Sequence, residues 1–300
     1  MRYDLIVITG PTASGKTRLA SILAYQIDGE IISADSRQIF RKMTIGTGKD
    51  LEDYTVNKKQ INYHLIDIKN PGEYYSAYNF LKDFITIFKQ IKEKNKMPIL
   101  CGGTGLYIST IVEKYEFYNS EPNKHLRNEL EKKSLDELKN NAKRLNIALN
   151  KSDINNKRRL IRHIETKTSP SKKKKINLPD IKSIIFAINI PRNKRKENIT
   201  KRLNLRLKQG MIEEVESLIK EYGYKIIEAY GLEYKYITMY LKGKITYNEM
   251  VEKLSTAIYR FSKRQMTWFR RMEKHGIEIN WLDYNLTNQQ KIEIILEKLK

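Results

Sequence analysis

The 300-residue sequence predicts an α/β protein with a P-loop-type doubly wound parallel sheet, a small helical insertion and a helical C-terminal region. Two features lead to this fold class. Short apolar runs alternate with longer amphipathic runs in the N-terminal part, a pattern typical of parallel sheets covered by helices. A glycine-rich stretch, 10–17, also joins the first apolar run to the first helical run, as in phosphate-binding folds.

The N-terminal part, 1–113, is expected to form the first part of the P-loop core. Its short apolar runs predict strands at 5–9, 30–34, 63–68 and 98–101. Its amphipathic runs predict helices at 16–27 and 77–94. Because open α/β sheets bind ligands at the carboxyl ends of their strands, the residues that follow each strand are the candidates for function.

The middle part, 114–180, is rich in Asn, Lys and Glu and is expected to form the helical insertion, with an arginine-bearing segment toward its end. Helical periodicity is present at 126–130 and 135–145. A run of four lysines, 172–175, is interpreted as a solvated loop, with RNA contact as the alternative.

The last part, 181–300, is expected to complete the core and to add a basic helical region. In this prediction a strand at 183–190 finishes the sheet. Helices follow from 193 to 273, with breaks at Gly210, Gly223 and Gly243, and the tail adds a short strand and a helix.

Charge and cysteine usage limit the possible functions. The formal net charge of +22 and the pI near 9.7 favour a polyanion such as nucleic acid, although an AT-rich genome could also explain a chain so rich in Lys, Asn and Ile. The single cysteine, Cys101, excludes an internal disulfide and a cysteine-based zinc site. No apolar run approaches the roughly 18 residues that span a bilayer, so we expect a cytoplasmic protein without membrane contact, and a monomer by default.

The stretch 10–17 reads GPTASGKT and fits the pattern G-x-x-x-x-G-K-[ST] between a strand and a helix. Its glycines allow backbone N–H groups to face phosphate, and the helix N-terminus adds a positive field. Lys16 would add a charge, and Thr17 could bind Mg²⁺. The stretch therefore predicts a di- or triphosphate ligand without specifying ATP, with a plain glycine-rich turn as the alternative.

Two further segments follow predicted strands. Asp35 lies at the carboxyl end of the second strand, a favourable place for catalysis, but capping of a following helix by Asp35 or Ser36 is an equal alternative. The turn 102–105, which reads GGTG, follows the fourth strand and would bring backbone close to the same crevice. In isolation it could equally be a plain tight turn.

Two basic segments fall on predicted helices. Arg158, Arg159 and Arg162 lie on neighbouring turns, a spacing suited to phosphate contacts, with a solvated basic face as the alternative. The stretch 263–271 mixes cations with aromatic residues. Its large apolar side chains are predicted to face the core: Met266, Trp268 and Phe269.

Taken together, these segments resemble the tRNA dimethylallyltransferase (tRNA isopentenyltransferase) family along most of the chain. The resemblance rests on nine blocks in family order: GPTASGKT, ISADSRQIF, YHLIDI, PGEYYSA, PILCGGTGLYI, RRLIRHIE, RLNLRL, YLKGKITYNEMV and KRQMTWFRR. It implies dimethylallyl diphosphate as donor, Mg²⁺ as cofactor, and adenosine 37 of tRNAs with adenosines at positions 36 to 38 as acceptor, in the anticodon stem-loop.

The resemblance also implies roles for individual residues. It makes Asp35 the general base and places Lys16 and Thr104 beside the reacting groups, with Thr17 as the metal ligand. The residues expected to hold the diphosphate are Gly10, Thr12, Ala13, Ser14, Gly15, Lys16, Thr17, Arg202 and Arg206. Those expected to contact tRNA are Asp35, Ser36, Arg37, Gln38, Thr104, Arg158, Arg159 and Arg162.

Three positions depart from the family pattern. Phe40 stands where tyrosine is common, and the triplet 231–233 reads GLE in place of glycine, aromatic, basic. Asn156 and Lys157 replace Asp-Pro before the arginine-bearing helix.

Three rival functions remain open from the sequence. A P-loop kinase of small molecules or nucleotides would explain the glycine-rich loop and Asp35 but not the basic C-terminal half. A prenyltransferase acting on free adenine nucleotide would leave the long basic region unused. A non-catalytic RNA-binding protein would not need Lys16, Thr17 and Asp35 together.

Overall fold

The computed structural model describes residues 2–115, 123–168 and 176–300. It divides into two compact units, one formed by Met1–Tyr115 with Leu178–Lys300 and the other by Glu116–Asn177. The lysine run 172–175 lies outside the described residues. Within the described ranges, none of the helices combines the length and the apolar character that a bilayer crossing requires.

The larger unit contains a six-stranded sheet in which every neighbouring pair of strands is parallel. In spatial order its strands are β5 (Tyr63–His64), β2 (Gly29–Ser33), β6 (Met97–Gly102), β1 (Leu5–Thr9), β7 (Ser183–Asn189) and β8 (Asn280–Asp283). The parallel P-loop-type sheet predicted from the sequence is confirmed. A short separate hairpin is formed by β3 (Thr55–Val56) and β4 (Lys59–Gln60).

Two predictions about the strands were wrong. The sheet does not finish at β7, because β8 pairs with it in parallel and extends the edge. The strand expected at 63–68 ends at His64, since Leu65 (φ 62°) and Asp67 (φ 54°) adopt left-handed conformations that interrupt the extended backbone of a regular strand. This turn brings the Asp67 carboxylate to the buried Nζ of Lys49, which also donates to Phe40 O at 2.8 Å.

Helices cover both faces of the sheet. On one face α1 (Lys16–Ile27) and α13 (Asn288–Leu299) share a core with Ile6, Ile31 and Phe186. Alternate strand residues such as Val7 and Leu100 point to the opposite face and are also fully buried. The helix α2 (Ala77–Glu93) packs on β2 and β6.

The remaining helices of this unit follow the strands in the order expected. They are α3 (Gly105–Val112), α8 (Arg192–Lys208), α9 (Met211–Tyr222), α10 (Tyr224–Ile227), α11 (Leu232–Leu241) and α12 (Tyr247–Lys274), with 3₁₀ turns at Leu51–Tyr54 and Glu228–Tyr230. The predicted breaks are confirmed, because Gly210 (φ 94°), Gly223 (φ 83°) and Gly243 (φ 67°) all lie between helices in conformations that favour glycine. The final strand and helix predicted in the tail are β8 and α13.

The described part of the smaller unit contains α4 (Lys124–Lys132), α5 (Leu135–Arg144), α6 (Lys151–Ile154) and α7 (Lys157–Thr168). Its core contains Leu130, Leu138, Leu160 and Ile164. The buried Glu165 carboxylate accepts hydrogen bonds from the Asn123 N–H at 2.6 Å, from Arg127 at 2.8 and 2.9 Å and from Arg162 at 2.7 Å.

Glu30 is a buried carboxylate that connects β2 to the edge of the sheet. His64 Nε2 lies 2.8 Å from it, Asn62 donates at 3.1 Å and Lys94 at 3.3 Å. Burial alone would raise the pKa of Glu30, but these three partners outweigh burial and hold the pKa at about 2. The charged form therefore stabilises the fold above the ordinary glutamate pKa, and this contribution is lost as the pH falls toward 2.

We expect Glu30→Gln to lower the free energy of unfolding at pH 7 by about 1 to 3 kcal/mol, because the neutral amide loses the charge-assisted contacts with His64, Asn62 and Lys94. Urea unfolding at pH 7, 5 and 3 measures the effect. The difference between the two proteins should narrow below pH 5. Glu93→Gln, at an exposed position of α2, is the control, and a difference that stays constant from pH 7 to pH 3 would contradict this interpretation.

Candidate active site

The loop between β1 and α1 has the backbone of a phosphate-binding loop. Gly15 (φ 82°) precedes the first residue of α1, and Gly10 (φ 154°) begins the loop. A Cβ on Gly10 would come within 2.8 Å of Ser14 Oγ. Both positions therefore require glycine.

Side chains of α8 hold this loop. Arg202 Nη2 donates to Thr12 Oγ1 at 3.1 Å, and Asn198 Nδ2 donates to Ala13 O at 3.2 Å. The hydroxyl of Ser14 is buried and has no hydrogen-bond partner among the described residues. A buried hydroxyl without a partner in a loop of this shape is available to an oxygen-rich ligand.

Two cations define the electrostatics of the loop. Burial lowers the pKa of Lys16, while the nearby Cys101 and Asp35 oppose that effect. Burial, followed by repulsion from Arg206, lowers the pKa of Arg202 to about 10, so this guanidinium is charged at neutral pH. These two half-buried cations would gain from an anionic ligand, because partial burial has already removed part of their water.

Asp35 follows β2, and its side chain stabilises a turn of the backbone. Its Oδ1 accepts the backbone N–H of Arg37 at 2.9 Å, whereas the described residues offer no hydrogen bond to Oδ2. The helix-cap alternative is wrong, because the next helical element is the 3₁₀ turn at Leu51–Tyr54. Asp35 is therefore oriented by a turn, with one oxygen left for another group.

The ends of β2 and β6 meet at Thr104. Its backbone N–H donates to Ala34 O at 3.1 Å, and its Oγ1 accepts the N–H of Ser36 at 3.0 Å. The close approach of the two backbones requires Gly102, because a Cβ there would come within 2.3 Å of Ala34 O. The turn 102–105 is therefore more than a plain tight turn, since it joins the segment that carries Asp35.

These segments line one pocket of about 860 Å³ in the larger unit. The predicted site residues on its wall are Thr12, Ala13, Gly15, Lys16, Thr17, Asp35, Ser36, Arg37, Gln38, Thr104 and Arg202. The wall also has an apolar part, which consists of Leu106, Leu205, Leu232, Ile258, Phe261 and Trp268. Leu106, Leu205 and Phe261 remain 40%, 55% and 39% exposed, respectively, which is unusual for large apolar side chains.

Three predicted diphosphate residues do not line this pocket. Gly10 and Ser14 shape the loop without reaching its wall. Arg206 Nη2 pairs with the Asp50 carboxylate at 3.0 Å, and its guanidinium lies against Gly48. Asp50, which lines the pocket, would therefore compete with diphosphate for the Arg206 guanidinium.

The predicted tRNA arginines lie on α7 of the smaller unit. Arg158 is exposed, whereas Arg159 pairs with Asp153 at 3.1 Å and Arg162 with Glu165 at 2.7 Å. Arg159 and Arg162 therefore serve at least in part to stabilise the smaller unit.

Sequence reasoning missed two features of the pocket. Trp268 was expected in the core with Met266 and Phe269, which are indeed buried, but it lines the pocket and donates from Nε1 to Ser109 Oγ at 2.8 Å. Gln265 also lines the pocket, and its partners are backbone atoms of distant segments that no sequence pattern marks.

The departures from the family pattern are accommodated locally. Phe40 is buried and packs edge-on against Tyr230, with ring centroids 4.6 Å apart. Glu233 lines the pocket, and burial raises its pKa while Arg202 and Arg206 oppose that shift. The Asn156 side chain accepts the N–H of Arg159 at 3.2 Å and so caps α7.

Comparison with known proteins agrees with this geometry. The family model described as IPP transferase matches residues 38–272. The chain is 48% identical to tRNA dimethylallyltransferase 2 of Bacteroides fragilis, over 99% of this chain and 98% of the relative. It is 49% identical to tRNA dimethylallyltransferase 1 of Azobacteroides pseudotrichonymphae, over 97% and 96%.

Solved structures show the same fold. The tRNA isopentenylpyrophosphate transferase of Bacillus halodurans matches with a TM-score of 0.72 and 28% identity, over 99% of this chain and 95% of that one. A eukaryotic dimethylallyltransferase acting on tRNA matches with a TM-score of 0.76 over 98% and 79%, and at 20% identity this likeness concerns the fold alone. The chain therefore belongs to the IPP transferase family of tRNA dimethylallyltransferases.

Proposed function

We propose that this protein transfers the dimethylallyl group of dimethylallyl diphosphate to N6 of adenosine 37 in tRNAs with adenosines at positions 36 to 38. It would act as a monomer on the anticodon stem-loop. The observation that carries the proposal is the composition of the pocket, in which a phosphate-binding loop, a free carboxylate oxygen and an apolar wall occur together. The relatives give no support to the kinase alternative.

The donor has two parts that fit this pocket. Its diphosphate suits the loop 10–17, with Lys16 and Arg202 as further partners. Its five-carbon tail is apolar and suits the wall that includes Leu205, Phe261 and Trp268. A kinase transferring phosphate to a hydroxyl would have no use for such a wall.

Magnesium is expected at Thr17, the loop residue whose hydroxyl is the appropriate ligand type. No cluster of three or more His, Cys, Asp or Glu side chains that could hold a metal occurs among the described residues. Thr17 lines the pocket and would supply one hydroxyl oxygen to the ion. When bound, magnesium would supply positive charge beside the leaving diphosphate.

The reaction requires one bond to break and one to form. As the C1–O bond of the donor stretches, negative charge builds on the diphosphate, where the loop N–H groups, Lys16 and Arg202 stabilise it. The adenine N6 forms the new bond to C1, and its proton passes to Asp35. Because the N6 lone pair is delocalised into the ring, this proton acceptor is needed beside a good electrophile.

The acceptor base must be extruded from the anticodon loop before its N6 can react in the pocket. Extrusion of a base costs a few kcal/mol of free energy, which contacts to the RNA backbone offset. The net charge of +22 provides such contacts. Arg37 and Gln38 would lie near the extruded base, and Arg158 is an exposed candidate for phosphate contact.

We expect tRNA affinity to fall steeply with salt, with a log–log slope of several units, because each phosphate contact releases counterions. Arg158→Ala should reduce the slope by about one unit and weaken binding to all tRNAs alike. Filter binding between 50 and 300 mM KCl measures both. Lys220→Ala, an exposed position on α9, is the control, and a flat salt dependence would mean that the positive charge is not used for RNA.

Substrate choice is tested with synthetic anticodon stem-loops in the presence of Mg²⁺ and dimethylallyl diphosphate. Transfer to a stem-loop with adenosine at 37, and none to one with guanosine at 37, is the expected result. Transfer to free AMP at a comparable rate would instead favour a nucleotide prenyltransferase.

A further inference from the structure

Gln265 connects two walls of the pocket that are far apart in the sequence and follow the neighbouring strands β1 and β6. Its Oε1 accepts the backbone N–H of Thr12 at 2.9 Å, and its Nε2 donates to Gly103 O at 2.7 Å. Thr12 belongs to the diphosphate loop and Gly103 to the turn after β6. The Gln265 side chain thus bridges the donor loop and the acceptor side of the pocket.

The bridge needs an amide at this position. One of its partners is a donor and the other is an acceptor, and an amide presents both functions, on two separate atoms, at the end of one side chain. A glutamate could accept from Thr12 but would turn a second oxygen toward Gly103 O. Gln265 is 7% exposed, so water does not replace either bond easily.

The neighbouring residues are shaped around the bridge. A Cβ on Gly103 would come within 2.4 Å of Gln265 Nε2, so a glycine permits the contact. One helical turn further along α12, the Trp268 ring lies equally close to Gly105, where an added Cβ would meet it at 2.4 Å. Phe269 is fully buried beside it. The glutamine is therefore carried by a part of α12 that is fixed on the turn 102–105.

The bridge continues to Asp35. Gly103 is followed by Thr104, whose Oγ1 accepts the N–H of Ser36, the residue next to Asp35. A short series of hydrogen bonds and peptide bonds thus leads from the loop at Thr12, through Gln265, to the carboxylate. These contacts add to the parallel pairing of β1 with β6 and of β6 with β2, which also joins the two sides of the pocket.

We propose that Gln265 is a positioning residue that sets the distance between the bound diphosphate and Asp35. The inference rests on the proposed function, because it concerns the alignment of donor C1, adenine N6 and the base. Misplacement by about 1 Å can cost 10²-fold in rate without loss of binding. Gln265 acts through the backbone of Thr12 and Gly103 and needs no contact with the reacting atoms.

The test compares Gln265→Leu and Gln265→Glu with Met266→Leu in the full-length protein. Met266 is the next residue of α12, is equally buried and does not line the pocket. Three quantities are measured: kcat at saturating tRNA and donor, the inhibition constant of inorganic diphosphate, and hydrogen exchange of the Thr12 amide.

We expect Gln265→Leu to lower kcat about 10- to 100-fold, to change the inhibition constant of diphosphate less than about threefold, and to speed exchange at Thr12. Gln265→Glu should keep the Thr12 amide protected, because the carboxylate still accepts the Thr12 N–H. It should lower kcat by a similar factor, because the hydrogen bond to Gly103 O is broken. Met266→Leu should stay within about twofold of the wild type in all three measurements.

Any one of three results for Gln265→Leu would overturn the inference. The first is a kcat within threefold of that of Met266→Leu, and the second is an unchanged exchange rate of the Thr12 amide. The third is a loss of diphosphate affinity as large as the loss of kcat. A wild-type protein that transfers nothing would refute the proposed function instead, and exchange at Thr12 would then still decide whether the bridge exists.

Discussion

Asp35→Asn should lower kcat by about 10²- to 10⁴-fold, the usual contribution of a general base. The amide oxygen of asparagine can still accept the Arg37 N–H, so the turn that orients residue 35 is kept. What is lost is the ability to take the proton of N6. Dissociation constants for tRNA and diphosphate should therefore change little while turnover fails. Single-turnover kinetics with prebound donor measure the effect without interference from product release.

Asp283→Asn is a matched control for this variant. Asp283 also accepts the N–H of the residue two positions later, Asn285, at 2.8 Å, but it lies at the end of β8 and does not line the pocket. Its substitution should leave kcat within about twofold, as expected for a surface position. A loss of tRNA binding by Asp35→Asn as large as its loss of turnover would assign Asp35 to binding.

Lys16→Met should lower kcat by about 10²- to 10³-fold, the range found when one stabilising donor is removed from a developing negative charge. The methionine keeps most of the length of the side chain at the start of α1 but carries no charge. Affinity for the donor should fall as well, because in the proposed mechanism Lys16 faces the diphosphate both before and during bond breaking. Steady-state kinetics with varied dimethylallyl diphosphate separate the two effects.

Lys220→Met removes a lysine from an exposed position of α9, where it pairs with Glu216 at 3.0 Å, and should leave both constants unchanged. If Lys16→Met raised only KM and left kcat intact, Lys16 would bind the donor equally in the ground and transition states. The charge stabilisation assigned to it would then have to come from Arg202 or from magnesium.

The diphosphate loop and the order of the core elements could be predicted from sequence because local rules determine them. The glycines at 10 and 15 are needed for φ values of 154° and 82°, and the apolar run before them is buried along its whole length. The placement of Asp35 and Thr104 at neighbouring strand ends follows from parallel pairing of β2 with β6.

Long-range contacts explain what the sequence could not predict. The run 63–68 is apolar enough for a strand, yet Asp67 turns away to meet Lys49, and no local pattern reveals that pairing. β8 joins the sheet only after the whole helical region, so its partner strand could not be deduced. Gln265 bonds to backbone atoms that are 253 and 162 residues away. A hydrogen bond to a backbone atom does not reveal its partner in the sequence, although the contact at Gly103 leaves no room for a Cβ.

The most direct test of the account is nucleoside mass spectrometry after incubation of the purified protein with Mg²⁺, dimethylallyl diphosphate and unmodified tRNA that has adenosines at positions 36 to 38. The predicted result is a new N6-dimethylallyladenosine that depends on Asp35 and is absent when the donor is omitted. Unmodified tRNA, together with hydrolysis of ATP or phosphorylation of a small molecule, would contradict the account and point to a kinase.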